Sequence, residues 1–207
     1  MQEQVGARET RNAVKLRHRR LLYFKAMEES RSSLLRQILF GFSVLVLISI
    51  TAIGTASLKA RTFDGPTQLF AGGPLIAGPL IIEPEPDWRF TDEIDSIELQ
   101  LLDPPTSRRV WVIQYDGRIF VVSGDRDTVL GRFWFTWPFQ AAEDGRAFVR
   151  IDGKRYPRHL RRVQSGEDLE SILAAMQQKY GVSGNRRDVE NGVFWLFELA
   201  PRIGNAE

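Results

Sequence analysis

One stretch of the chain combines residue types that can hold an aromatic, phosphate-bearing molecule. Residues 124–140 read GDRDTVLGRFWFTWPFQ and place five aromatic side chains in the seven positions from Phe133 to Phe139. Aromatic faces stack on flat heterocycles, and the neighbouring guanidinium of Arg132 can hold a phosphate through two parallel hydrogen bonds. The alternative is structural: the same aromatics would fill the mouth of a barrel or a subunit interface.

Other kinds of catalytic site are poorly provided for. The 207-residue chain has no cysteine and only two histidines, His18 and His159. It therefore lacks thiolate and His-rich metal sites, and a Ser-His-Asp hydrolase would depend on His159 alone. His159 stands between basic residues on an expected strand, which favours an exposed, non-catalytic role. No P-loop, dinucleotide-binding or nucleophile-elbow motif occurs either.

The elements expected to position the aromatic stretch are mainly strands. Runs rich in β-branched and aromatic residues flank Asp116-Gly117 and Asp152-Gly153, and such pairs favour type I′ hairpin turns. One helix is predicted from apolar residues that recur along a single face: Leu169, Ile172, Leu173, Met176 and Tyr180. These patterns predict a mainly β domain, a small closed or split β-barrel with the helix packed across an opening.

The order of these segments resembles the split β-barrel flavin-binding superfamily, which includes pyridoxamine-phosphate-oxidase-like and deazaflavin-dependent nitroreductase-like proteins. The resemblance covers roughly residues 95–202. It rests on VWVIQYDGRIFVVSG, GRFWFTWP, AFVRIDGKRYPRHLRRV, a helix that ends in QQKYG and a strand that ends in LAPR. It implies a bound cofactor, FMN or a deazaflavin, at the interface of a homodimer.

In such families a basic residue that enters the second strand, and small or basic residues after the third, meet the cofactor phosphate. Carried over by position, the cofactor-binding residues would be Arg108 or Arg109 at the start of the second strand, Ser123 and Gly124 in the turn, and Arg132 with Trp134 and Trp137 in the basic-aromatic segment. The resemblance implies an oxidoreductase whose hydride chemistry belongs to the bound ring. The competing hypothesis is a non-catalytic binding or assembly module of the cell envelope, which presents the barrel and its aromatic surface to a partner protein or lipid.

A second feature constrains where this chemistry takes place. Residues 37–58 carry no charge. A helix of that length spans roughly 33 Å, enough to cross a bilayer core of about 30 Å. A cleaved signal peptide and a buried core helix are the alternatives. The apolar segment and the basic segment before it are long for a signal peptide, and an all-round apolar surface fits lipid.

The charges that flank this segment predict its orientation. Six Lys/Arg residues lie in the twenty positions before it and two in the twenty after it. Positive charges tend to stay in the cytoplasm. We therefore expect a single-pass protein of the inner membrane, with a cytoplasmic N-terminus and an extracytoplasmic or periplasmic C-terminal domain. The basic tail is interpreted as a helix on an anionic membrane face or as a solvated segment. Nucleic-acid binding is disfavoured because no binding motif accompanies it.

Four segments are therefore expected: a basic cytoplasmic tail (1–36), a transmembrane helix (37–58), a Gly/Pro-rich connector (59–94) and a split-barrel-like domain (95–207). The expected partners are the lipid bilayer, a second copy of the chain through the barrel, and an envelope protein. No nucleic acid is expected among them.

Overall fold

The computed structural model describes residues 35–67, 70–123 and 136–202. Helix α1 spans Leu35–Ala60, and a 3-10 helix spans Trp88–Glu93. The strands are β1 (Ser96–Leu102), β2 (Pro105–Tyr115), β3 (Arg118–Ser123), β4 (Arg146–Ile151), β5 (Lys154–Val163) and β6 (Trp195–Pro201). The other helices are α2 (Trp137–Glu143), α3 (Leu169–Tyr180) and α4 (Arg186–Glu190).

The six strands form a closed antiparallel barrel in the order β1-β2-β3-β6-β5-β4. This confirms the predicted mainly β barrel. Both predicted hairpin turns are confirmed as well. Asp116 and Gly117 have φ values of 49° and 71°, and Asp152 and Gly153 have the same pair of values. A type I′ turn requires positive φ at both central residues, which is why an Asp-Gly pair suits it.

The predicted long helix is confirmed, but it does not lie across an opening of the barrel. Helix α3 packs its apolar stripe on the outer face of β2, β3 and β6, against Ile113, Phe120 and Leu196. The barrel interior is a separate core, to which Trp88 and Trp137 contribute from the short helices before β1 and β4. Because side chains alternate along a strand, the same strands supply both cores.

The Gly/Pro-rich segment is bound to the barrel over much of its length. Residues 70–86, which we call the strap, make hydrogen bonds to β1, β2 and β5. The Leu75 N–H donates to Gln100 Oε1 at 2.7 Å, and the Ile81 N–H donates to the Arg155 carbonyl at 2.8 Å. Leu75 is buried. The exact boundary between connector and barrel domain stays a prediction.

Helix α1 is the one helix in the described ranges that is long and apolar enough to cross a membrane. Its side chains are exposed from Leu35 to Ala56, which does not fit a buried core helix. Four of its hydroxyl groups donate to the carbonyl four residues earlier, at 2.8–2.9 Å: Ser43, Ser49, Thr51 and Thr55. Such bonds satisfy polar groups that hydrocarbon would leave without a partner.

Arg150 fastens the chain that precedes the strap to the barrel. Its Nη1 lies 2.9 Å from the Asp64 carboxylate, and its Nε donates to Glu98. Asp64 also accepts the N–H groups of Ile76 and Ala77, at 2.7 and 3.1 Å. Burial alone would raise the pKa of Asp64, but the hydrogen bonds from Ile76 and Arg150 outweigh it and leave the pKa lowered.

A lowered pKa in the folded state means that the Asp64 carboxylate stabilises the fold above its ordinary pKa of 3.8. This contribution is lost as the pH falls through the lowered pKa.

We expect Asp64→Asn to reduce the free energy of unfolding by about 1 kcal/mol at neutral pH. At a pH well below the lowered pKa, urea unfolding should give the same free energy of unfolding for the wild type and for Asp64→Asn. Asp87→Asn is the control. It changes an exposed carboxylate that pairs with Arg89, so the free energy of unfolding should hardly change. If Asp64→Asn lost the same free energy of unfolding at neutral pH and at the low pH, this role of the Asp64 carboxylate would be contradicted.

Candidate functional site

Four of the predicted cofactor-binding residues lie within the described ranges: Arg108, Arg109, Ser123 and Trp137. The other three, Gly124, Arg132 and Trp134, lie outside the described residues. Their roles therefore stay predictions.

Arg108 lies on the inner face of the barrel. It pairs with Leu99 of β1, which belongs to the inner core. It also alternates in phase with Val110 and Val112 of the same strand, which belong to that core as well. The charged side chain of Arg108 thus begins in a row of aliphatic side chains on the inner face of the barrel.

Arg108 is poorly satisfied by the described residues around it. Its Nε is buried and has no hydrogen-bond partner there, while Nη2 makes a long contact of 3.4 Å with Thr106 Oγ1. Burial lowers the pKa of Arg108 to about 10, and the positive charge of Arg61 contributes to the same shift. A half-buried guanidinium with a buried, unpartnered Nε and a second cation nearby favours an anion as its partner.

Ser123 supplies a second donor of the same kind. It is 3% exposed, and its Oγ is buried without a hydrogen-bond partner among the described residues. It shares the inner face of β3 with Val121. The pairing of β2 with β3 ends at Val112 and Val121, and an extension of its register would set Ser123 opposite Val110. That position is one same-face step, about 7 Å along the strand, from Arg108.

The strap supports the part of β2 that carries Arg108. β2 pairs with β3 only from Val112 to Tyr115. Nearer its start, Ser107 instead exchanges both backbone hydrogen bonds with Gly72, at 2.9 and 3.1 Å. A Cβ on Gly72 would lie 1.8 Å from the Gly65 carbonyl oxygen, so only glycine fits at this contact.

The other two described residues lie in different surroundings. Arg109 is exposed, and it alternates with Arg108, so it belongs to the outer face of β2. Trp137 is 3% exposed in the inner core, where its ring centroid lies 5.5 Å from that of Phe197. Its indole is thus packed inside the barrel, and a role for Trp137 in cofactor binding stays a prediction.

Sequence reasoning missed Arg158, which is 2% exposed in the barrel wall. Its guanidinium lies 4.8 Å from the ring centroid of Trp88 and 5.6 Å from that of Tyr156. Nη1 and Nη2 contact the two carboxylate oxygens of Glu85 in the strap, at 3.1 and 3.0 Å. Arg158 lies on the same face of β5 as Tyr156 and Leu160. This spacing in the sequence was the signal that could have indicated a buried arginine. His159, one position on, is exposed as expected.

A cavity of about 520 Å³ opens beside this ion pair. Its lining comes from the end of the strap, from β5 and from the end of β6: Ile82, Glu83, Pro84, Glu85, Pro157, Arg158, Pro201 and Arg202. Its volume is within the range of small-molecule sites. None of the four described candidates, Arg108, Arg109, Ser123 and Trp137, lines it.

Comparison with known proteins identifies no family for this chain. No family model matches it, and no curated protein matches it. A crystal structure of a NimC/NimA family protein from Clostridium acetobutylicum matches with 16% sequence identity and a TM-score of 0.36. The match covers 56% of this chain and 83% of that one. Similarity at this level transfers no function and no residue roles.

The buried ion pair predicts an asymmetry between its two partners. Glu85→Gln removes the negative charge and leaves a buried guanidinium uncompensated, so we expect it to lower the free energy of unfolding by about 3 kcal/mol. Arg158→Met replaces the cation with an apolar side chain of similar length and leaves Glu85, 40% exposed, within reach of water. Arg158→Met should therefore lower the free energy of unfolding by less than Glu85→Gln does. Urea unfolding measures both, and a larger loss for Arg158→Met would refute the asymmetry.

Proposed function

We propose that this chain is a membrane-anchored protein whose extracytoplasmic barrel domain binds a phosphate-bearing cofactor, FMN or a deazaflavin, in an oxidoreductase role. The observation that supports it is the pair of buried donors on the inner face of the barrel. Arg108 Nε and Ser123 Oγ have no hydrogen-bond partner among the described residues. A buried donor left without an acceptor costs about 1–3 kcal/mol, so a bound phosphate that accepts both would stabilise the fold.

The two donors fit the phosphate of the cofactor, and Trp137 does not fit its ring. Arg108 would hold the phosphate by charge, and Ser123 would donate a hydrogen bond to it. The bound cofactor would supply hydride transfer. Trp137 is already packed against Phe197, so the ring would have to stack on other residues. The proposal includes a second copy of the chain, because the superfamily that the sequence resembles binds its cofactors at homodimer interfaces.

The membrane part of the proposal is supported by α1 and by the charges on either side of it. The helix is exposed and apolar, and its hydroxyl groups bond to its own backbone. Six Lys/Arg residues lie in the twenty positions before residues 37–58, and two lie in the twenty positions after them. This bias favours a cytoplasmic tail and an extracytoplasmic barrel.

A binding or assembly module of the envelope is the second candidate, and Trp111 favours it. The indole is 45% exposed on the outer face of β2 and stacks on Tyr180, with ring centroids 4.8 Å apart and planes 9° apart. Exposed aromatic residues held rigidly in this way are common in interfaces. A partner protein would then cover this face, and no cofactor would be needed.

Cofactor binding is tested on the full chain in detergent, by titration with FMN and with a deazaflavin followed by absorbance and fluorescence. We expect binding by the wild type. Arg108→Gln should weaken it by about tenfold or more, because a charged hydrogen bond is worth about 1.5–3 kcal/mol. Ser123→Ala should weaken it less, because its hydroxyl is neutral.

Arg109→Gln is the matched control, since it removes an exposed arginine from the neighbouring position of the same strand. It should leave the affinity unchanged. Circular dichroism checks that each variant is folded. Absence of binding by the folded wild type would reject the cofactor and leave the binding module. Binding that Arg108→Gln and Ser123→Ala leave intact would reject the proposed site.

The orientation is tested with single cysteines in this cysteine-free chain. Thr10→Cys lies in the basic tail, and Glu167→Cys lies on an exposed turn before α3. A thiol reagent that does not cross the membrane should label Glu167→Cys in intact spheroplasts, and Thr10→Cys only after lysis. Labelling of Thr10→Cys in intact spheroplasts would reverse the proposed topology.

A further inference from the structure

Arg202 presents an unsatisfied guanidinium edge next to the cavity below the strap. Its Nε and Nη2 are buried and have no hydrogen-bond partner among the described residues. These two nitrogens lie on the same edge of the guanidinium, and their N–H bonds point the same way. This is the edge that receives a carboxylate through two parallel hydrogen bonds.

The surroundings of Arg202 leave its charge poorly compensated. Burial lowers the pKa of Arg202, and the nearby positive charge of Arg146 adds to this effect, while Asp144 opposes it. Asp144 itself is engaged by Arg146, with contacts of 2.8–3.1 Å between their side chains. The guanidinium carbon lies 5.2 Å from the ring centroid of Phe148, which covers one face of the group and accepts no ordinary hydrogen bond.

The cavity that Arg202 lines has the size and the walls of a small-molecule site. Its volume is about 520 Å³. Pro84, Pro157 and Pro201 give it rigid apolar walls. Arg158, the buried arginine of the lining, forms an ion pair with Glu85, although its Nε has no hydrogen-bond partner among the described residues. Arg202 is therefore the cation in the lining that can take a new anion.

From this geometry we infer a second ligand site, in which the cavity binds a small carboxylate with an apolar body and Arg202 holds the carboxylate. Nε and Nη2 themselves are buried in the structure, so the proposal includes a change of the Arg202 rotamer that turns this edge into the cavity. Glu83 and Glu85 also line the cavity. A ligand with a single negative charge suits this balance better than a phosphate with two, because each further charge meets Glu83. The apolar body packs on the three prolines.

The site is tested with three probes on the full chain in a zwitterionic detergent, by isothermal titration calorimetry. The probes are 3-phenylpropanoate, its neutral counterpart 3-phenylpropan-1-ol, and phenyl phosphate. We expect 3-phenylpropanoate to bind most tightly. Arg202→Gln should weaken it by about tenfold or more, since it removes a bidentate charged contact. Arg202→Lys should recover only part of the loss, because an ammonium group cannot form the paired contact.

Ile82→Trp provides a test that does not depend on how the chain tolerates a change at Arg202. Ile82 is 57% exposed at the rim of the cavity, so a larger side chain there should fill the cavity and leave the fold intact. It should reduce 3-phenylpropanoate binding to the level of Arg202→Gln. Arg89→Gln, which changes an exposed arginine outside the cavity lining, should bind as the wild type does.

Three results would overturn the site: no binding of 3-phenylpropanoate, equal binding of the neutral alcohol, or unchanged binding by Ile82→Trp. Arg108→Gln should not affect this probe, because Arg108 does not line the cavity. The two proposed sites therefore succeed or fail separately.

Discussion

The ion pair between Arg158 and Glu85 is the contact on which the arrangement around the barrel wall depends. A guanidinium that is 2% exposed needs an acceptor, because a buried charge without a partner is strongly destabilising. Glu85 reaches it from the strap, and the same carboxylate accepts the indole N–H of Trp88 at 2.7 Å. One carboxylate therefore fixes the end of the strap, the 3-10 helix and β5 relative to one another.

The strap has a second role at the other end of its path. A closed barrel should leave no strand edge unpaired, yet β2 is longer than its pairing with β3. Gly72 occupies part of the remaining edge at Ser107, and this pairing fixes the next residue, Arg108, on the inner face. The backbone geometry thus holds Arg108 on the inner face without bringing an acceptor from the described residues to its Nε. The contrast with Arg158, whose acceptor is part of the chain, makes Arg108 the better candidate for holding a ligand.

The parts of the fold that the sequence predicts are those that local interactions determine. The turn at Asp116-Gly117 depends on the φ preferences of two residues, and α3 depends on the spacing of apolar residues along one face. Arg158 could not be predicted in the same way, because Glu85 lies 73 positions earlier and basic neighbours make β5 look exposed. The composition of the strap predicts an extended chain, but its hydrogen bonds reach residues far along the sequence. For the candidate site, the resemblance drew attention to Arg108 and Ser123, and only the structure shows that Trp137 belongs to the core.

Arg108 and Arg202, the two arginines proposed to hold ligands, lie on different faces of the barrel sheet and suit different ligands. Arg108 shares the inner face with Leu99, whereas Arg202 covers Phe148, which alternates with inner-core residues and so belongs to the outer face. With its pKa lowered only to about 10, Arg108 stays positively charged at neutral pH, so its position attracts anions. The chain has no cysteine, and His159 is exposed on β5. Under the proposed function, the arginine side chains contribute binding and orientation by fixed positive charge, and the bound molecule supplies the electron or hydride transfer.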